Sequence, residues 1–309
     1  MNINLFHFLI SVSKEDHTNN DCIWITVMSH GGKDGKVYSA DDEYHVKELW
    51  ENFMGENCKT LIGKPKLMFI QACRGNKTEF GVSLEINDEM EVDSKTVQVI
   101  PQMADLLIMY STAEGHYSFR NRNKGSWFIQ ALCKELKADS QDDYYDDLMH
   151  ILARVNKKVA FEDISAICKF KDAKQMPNIE STLRKSIIFF NKSSIFVEAD
   201  SVSIIVKPKN IYSSKINKNL CYDMSYDKRG IALIFNQEYD SENNSGVKTN
   251  GDEMKAVLRK LHFDVRYYLN LNSDEIKDIL DSGKTQTAVF KFDFYIIMFV
   301  CSVPGRPFE

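Results

Sequence analysis

The chain has 309 residues and a formal net charge of −5, so it lacks the basic surplus that a nucleic-acid partner calls for. Apolar residues make up 43% and charged residues 27%, an ordinary globular composition with enough chain for one or two domains. The seven cysteines (Cys22, Cys58, Cys73, Cys133, Cys168, Cys221 and Cys301) form no C-x-x-C pair, which argues against a zinc site or a redox dithiol and suits a reducing compartment.

In chain order, Met1 to Ile10 is apolar but has no basic start and no small-residue cleavage site, so no signal peptide is expected. Cys22 to Met28 is an apolar run that opens into Ser29-His30-Gly31-Gly32. Lys66 to Gln71 is a second run, ending just before Cys73. Both read as buried strands followed by loops, and Leu106 to Tyr110 reads as a third. Ser126 is a candidate N-cap for a helix carrying Ile129, Leu132, Cys133 and Leu136 on one face. Another helix is expected over 144–161, with Leu148, Ile151, Leu152, Val155 and Val159 as its stripe, and Leu183 to Phe190 is expected as a closing strand. Residues 191–222, rich in Ser, Asn and Lys, read as a linker.

Beyond it, Arg229 to Phe235 has a buried-strand pattern, Met254, Val257, Leu258 and Leu261 mark a helix face, and Asp264 to Leu269 reads as a strand. Ser273 is a candidate N-cap for a helix through Leu280. The uncharged run from Phe294 to Gly305 is too short for a membrane helix, which needs about 20 apolar residues. No membrane partner is expected, and the expected location is the cytoplasm. Alternating strands and helices imply an α/β fold with a mainly parallel sheet. Functional loops of such sheets lie beyond the carboxyl ends of the strands, where His30 and Cys73 fall.

A thiol becomes a strong nucleophile once deprotonated, and a nearby imidazole promotes that step. Neighbouring parallel strands would bring His30 and Cys73 together. Gly31 has no side chain, so its N–H could approach an oxyanion, with the N–H of Cys73 as second donor.

Gln71-Ala-Cys-Arg-Gly75, with a histidine upstream, matches a signature of the caspases. Residues 28–50 and 63–75 resemble executioner caspases, insect ones in particular. Residues 110–136 resemble the start of a caspase small subunit and 174–190 its end. The resemblance implies a three-layer sandwich, a mainly parallel sheet flanked by helices. It also implies a cysteine endopeptidase that cleaves after aspartate, acts in apoptosis and is made as a zymogen. Such a protein would work on protein substrates with acidic recognition sequences, as a homodimer or a heterodimer with another caspase. It would be open to protein inhibitors and would need no metal or organic cofactor.

Site residues carry over position by position. His30, Cys73 and Gly31 fall on the catalytic positions. Arg120 and Gln71 match the pocket for the substrate aspartate, and a planar guanidinium suits a carboxylate because it offers two parallel hydrogen bonds. Ser118 and Asn121 fall on flanking substrate-binding positions, Tyr117 and Phe119 on the aromatic wall of the next subsite, and Trp127 on a more distant one. Taken alone, Arg120 reads as a solvated arginine and the three aromatics as core. Met90-Glu-Val-Asp93, before Ser94, resembles an inter-subunit cleavage site, an acidic surface loop being the plainer reading.

The segments stand in an unusual order. Residues 222–281 resemble the opening of a large subunit, whose expected continuation is found at 11–25. The chain thus divides into 1–93 (the second part of a large subunit), 94–190 (a small subunit), the linker 191–221, 222–281 (the first part of a large subunit) and an unmatched tail, 282–309. Two origins stand open: a circular permutant, which flexible bridging of the old ends permits, or a join of fragments from two neighbouring caspase genes. Within "NNSGVKT" (243–249), Asn244 falls where the family has a second aspartate-gripping arginine. An amide there forfeits a charge-assisted hydrogen bond, about 1.5–3 kcal/mol. That departure keeps a second function in view, a catalytically weak homologue that dimerises with a complete caspase and regulates it.

Overall fold

The computed structural model describes residues 3–39, 43–76, 101–121, 125–139, 146–161, 173–190, 195–197, 203–206, 216–217, 220–237, 245–270, 272 and 275. Thirteen strands and four α-helices lie in these segments. In the first part of the chain they are α1 (Ile3–Ser13), β1 (Ile23–Met28), β2 (Lys36–Tyr38), β3 (Glu43–His45), β4 (Lys66–Gln71), β5 (Leu106–Tyr110), β6 (Arg120–Asn121), β7 (Gly125–Ser126) and α2 (Trp127–Asp139). Then come α3 (Leu148–Phe161), β8 (Asn178–Ser181), β9 (Ile195–Val197), β10 (Ser203–Val206), β11 (Ile216–Asn217), β12 (Ile231–Asn236), α4 (Ser245–Lys260) and β13 (Asp264–Leu269).

The strands at the centre are apolar along most of their length because both faces are covered, as a parallel sheet requires. Every residue of β1, β4, β5 and β12 is buried. Side chains alternate across the pleat, so Trp24 and Met28 of β1 pack with α2, α3 and α4, while Ile23, Ile25 and Val27 pack with α1 and the 3-10 turns over 46–61. The result is three layers around a six-stranded sheet of order β13-β12-β1-β4-β5-β8. All neighbours are parallel except β5 and β8. This is the mainly parallel α/β sandwich expected.

β12 lies directly beside β1, with Trp24 opposite Ala232 and Met28 opposite Asn236, and β12-α4-β13 form a βαβ unit at the sheet's edge. The late segment is therefore continuous with the early one. Two ion pairs, one buried and one partly buried, fasten them. Arg229 donates to Asp21 Oδ2 (2.8 Å) and to the carbonyls of Phe190 (2.6 Å) and Leu261 (3.1 Å). Arg266 forks onto both carboxylate oxygens of Glu15 (2.5 and 2.9 Å).

Several expectations need correction. Leu183 to Phe190 is not a ladder strand: the edge strand is β8, and Ser186 and Ile188 make only isolated bridges, to Cys221 and Asp147. The supposed linker carries β9, β10 and β11, paired as a small antiparallel sheet. The helix marked by Met254 begins earlier, at Ser245. The helix start foreseen at Ser273 carries reciprocal bonds between Asn272 and Glu275, in which the Glu275 N–H donates to Asn272 Oδ1 (2.8 Å) and the Asn272 N–H to Glu275 Oε2 (3.1 Å). That is the capping-box pattern, with Asn272 in the capping role.

Candidate active site

Register places the thiol and the imidazole. Met28 and Gln71 are paired at the carboxyl ends of β1 and β4, and the Ser29 N–H donates to the Gln71 carbonyl at 3.0 Å. His30 and Cys73 each follow this pair by two residues, so both emerge at the same end of adjacent strands. They line one cavity of about 310 Å³, together with Gln71, Tyr117, Ser118, Phe119, Arg120 and the residues named below.

Gly31 does not line the cavity; its backbone lies against the Cys73 segment. A Cβ there would run into the Cys73 carbonyl oxygen and stand 2.9 Å from Ala72 Cβ. Gly31 also bridges Val37, but the bonds of that bridge run from Tyr38 N–H to the His30 carbonyl and from Gly32 N–H to the Lys36 carbonyl. Neither uses the Gly31 N–H.

The loop carrying Tyr117 to Arg120 is clamped from behind. Gln175, buried, accepts from the Phe119 N–H (2.7 Å) and donates to the Ser111 carbonyl (2.7 Å). The loop then lies over the sulfur: the Ser118 N–H donates to Cys73 Sγ (3.4 Å), and the thiol donates to the Ser118 carbonyl (3.7 Å). β6 and β7 form a hairpin that sets Arg120 opposite Ser126. Ser126 caps α2 as expected, accepting from the Ile129 N–H at 3.3 Å, and its hydroxyl also donates to Gln71 Oε1. Gln71 Nε2 donates to Ser118 Oγ at 2.7 Å. The Gln71 carboxamide is thus held between two hydroxyls.

The electrostatics describe a resting neutral pair. Burial pushes the Cys73 thiol above its ordinary value, opposed by the Ser118 N–H and by the charge of Arg120. Burial and then the Arg120 charge push His30 below its usual 6.5. At neutral pH the sulfur keeps its proton and the imidazole is uncharged, which leaves one ring nitrogen of His30 able to accept a proton. Arg120 favours the thiolate and disfavours the imidazolium, so its effects on a thiolate–imidazolium pair oppose one another, and burial is the larger cause at both groups.

Of the residues expected from the sequence, His30, Cys73, Gln71, Arg120, Tyr117, Ser118 and Phe119 are brought together in the cavity. Trp127 is not among its lining residues; it packs behind Phe119, ring centroids 5.8 Å apart, and against Ala173. Asn121 pairs with Gly125 in the hairpin. Asn244 and Asp93 lie outside the described residues. The lining also includes Met28, Ser29, Ser126, Asn236 and Asn250, which the sequence reading did not assign to a site. For Asn250 a signal existed: it lies four residues before Met254 and so continues the apolar stripe of α4 with an amide.

A parallel α/β sheet with a thiol and an imidazole at neighbouring strand ends, under a loop bearing arginine, defines a thiol–imidazole site of the caspase-like class. A family model described as Caspase domain matches residues 7–188 and 229–302. The chain belongs to the caspase family. The first match begins within the apolar start and the second runs past residue 281 into the segment expected to be unmatched. Caspase-3 of Mesocricetus auratus is 43% identical over 183 residues, 59% of this chain and 64% of that protein. Caspase-7 of Gallus gallus is 41% identical over 186 residues, 59% of each. The chain thus spans less than two thirds of the length of either relative. The crystal structure of caspase-1 from Spodoptera frugiperda matches with a TM-score of 0.51 and 36% identity, covering 59% of this chain and 69% of that one.

Proposed function

We propose that the chain is a cysteine endopeptidase that cleaves after aspartate. The observation that carries this reading is the shared cavity of Cys73, His30 and Arg120. In the proposed reaction Arg120 receives the substrate's carboxylate, with the neighbouring Gln71 carboxamide oriented by its two hydroxyl partners. His30 accepts the thiol proton as Sγ attacks the scissile carbonyl carbon. The carbonyl oxygen becomes an oxyanion facing the Gly31 and Cys73 N–H groups, each such donor being worth on the order of 10²–10³ in rate. Collapse breaks the C–N bond, and His30 passes its proton to the departing amine. Water, deprotonated by His30, then hydrolyses the thioester and restores the thiol.

The same reading assigns 222–281 followed by 11–190 to one catalytic domain. The β1–β12 ladder and the pairs Asp21–Arg229 and Glu15–Arg266 support that assignment. It places activating cleavage at Asp93 and cellular action in apoptosis. It makes the outer side of β8, at the end of the sheet, the surface for a second caspase chain. Cys58, Cys73, Cys133 and Cys221 are free thiols, which suits the cytoplasm.

The test is hydrolysis of an acidic tetrapeptide amide ending in aspartate, with Cys73→Ala and His30→Ala as controls. Cleavage abolished by either substitution supports the reading. Folded protein that leaves the peptide intact overturns it and favours the non-catalytic regulatory partner.

A further inference from the structure

The late segment contributes two amides to the cavity; Asn236 donates to the Tyr267 hydroxyl at 3.0 Å, and Asn250 is the one left to explain. Asn250 is 2% exposed and sits on the face of α4 that Met254, Val257, Leu258 and Leu261 continue into the core. Its side chain lines the cavity, and its Oδ1 is buried without a hydrogen-bond partner. A polar side chain placed in an apolar stripe and left unsatisfied is a group waiting for a ligand. The hairpin is shaped to admit it. Gly125 has φ +88° and lies so close to Asn250 that a Cβ would run into the carboxamide. Gly125 precedes Ser126, which holds Gln71, and pairs across the hairpin with Asn121, the neighbour of Arg120. Asn250 therefore packs on the hairpin that carries Arg120, the residue proposed to receive the acidic side chain.

We propose that Asn250 is a specificity-determining residue that hydrogen-bonds the substrate's carboxylate beside Arg120. This rests on the aspartate-directed reading above and deepens it. The unpartnered Oδ1 is an acceptor and a carboxylate offers no proton, so binding requires a half-turn of χ2 that brings the NH₂ group, two donors, to the ligand and carries the oxygen to the place the NH₂ now holds. The amide supplies directed hydrogen bonds without a second full charge, so the cavity holds one guanidinium and a neutral donor around the carboxylate.

The experiment compares wild type, Asn250→Asp and Asn250→Leu for cleavage of a peptide ending in aspartate, with iodoacetamide labelling of Cys73 in parallel. Asn250→Asp keeps the shape and sets a carboxylate against the substrate's own. It is expected to lower kcat/KM on the order of 100-fold, chiefly through KM. Asn250→Leu continues the apolar stripe, so the fold is kept, and the lost hydrogen bond is expected to lower kcat/KM about 10- to 100-fold. Labelling of Cys73, which involves no acidic side chain, is expected to proceed unslowed in Asn250→Leu, and in Asn250→Asp to slow by much less than kcat/KM falls, because the new carboxylate only offsets part of the Arg120 charge. If Asn250→Asp does not fold, Asn250→Leu decides alone. A KM within about twofold of wild type, or a loss matched by equal slowing of labelling, overturns the role of Asn250 and leaves the aspartate-directed reading standing. A wild type that is labelled at Cys73 yet does not cleave the peptide overturns both.

Discussion

Replacing Arg229 tests whether the late segment is part of the folded domain. Its side chain is 1% exposed and Asp21 is fully buried. The guanidinium reaches Asp21 in the segment before β1, Phe190 after β8, and Leu261 after α4. Asp21 Oδ1 in turn accepts from the Tyr226 N–H at 2.9 Å. Arg229→Met removes the cation and leaves a carboxylate inside the protein. Breaking one side of a buried pair costs about 3–5 kcal/mol, a large share of a typical stability of about 5–15 kcal/mol. The assay is urea unfolding followed by the fluorescence of Trp24, which stacks on Phe69 and touches Phe263. Asp21→Asn is expected to be costly too, and the double variant to lose less than the sum by at least about 1 kcal/mol. A loss below about 1 kcal/mol in Arg229→Met, or strict additivity, would refute the reasoning, because the two segments would then not share an interior.

Further outcomes follow from the site. Because the Cys73 thiol is held above its ordinary value and His30 below 6.5, alkylation of Cys73 is expected to keep rising through the alkaline range. Cleavage is expected to persist as pH falls below 6.5, until His30 takes a proton; a pH-independent alkylation rate would contradict this. Arg120→Ala removes a charge that lowers both groups. The thiol should then titrate still higher and His30 move back up, so alkylation at neutral pH slows and the acid limb of the pH profile shifts upward. Gly31→Ala forces a Cβ against the Cys73 carbonyl. A displacement near 1 Å between reacting groups is expected to cost on the order of 100-fold in kcat/KM, and unchanged kinetics would show that the backbone contact is not needed.

The central strands were legible because burial on both faces gives largely apolar runs, as in Ile23–Met28 and Ile231–Asn236. The same criterion misplaced the edge. Ile187 to Phe190 is apolar because it lines the core without joining the ladder, whereas the true edge strand, Asn178–Ser181, is only partly covered and carries a polar pattern. His30 and Cys73 could be found since each follows a strand, but their juxtaposition needed the β1–β4 register. Trp127, expected at a more distant subsite, is the first residue of α2 and packs beside Phe119 outside the lining of this cavity. Asn250 was passed over because the α4 stripe was read from its apolar members, and an amide in that stripe has meaning only once the cavity is seen.

The most direct test is covalent. Acidic and neutral peptidyl halomethyl ketones, identical except for a terminal aspartate or asparagine residue, would be reacted with the chain and the adducts located by mass spectrometry. A single adduct on Cys73, formed on the order of 100 times faster with the aspartyl reagent and lost in His30→Ala, is the predicted result. Equal rates for the two reagents, or attachment to another thiol, would contradict the account.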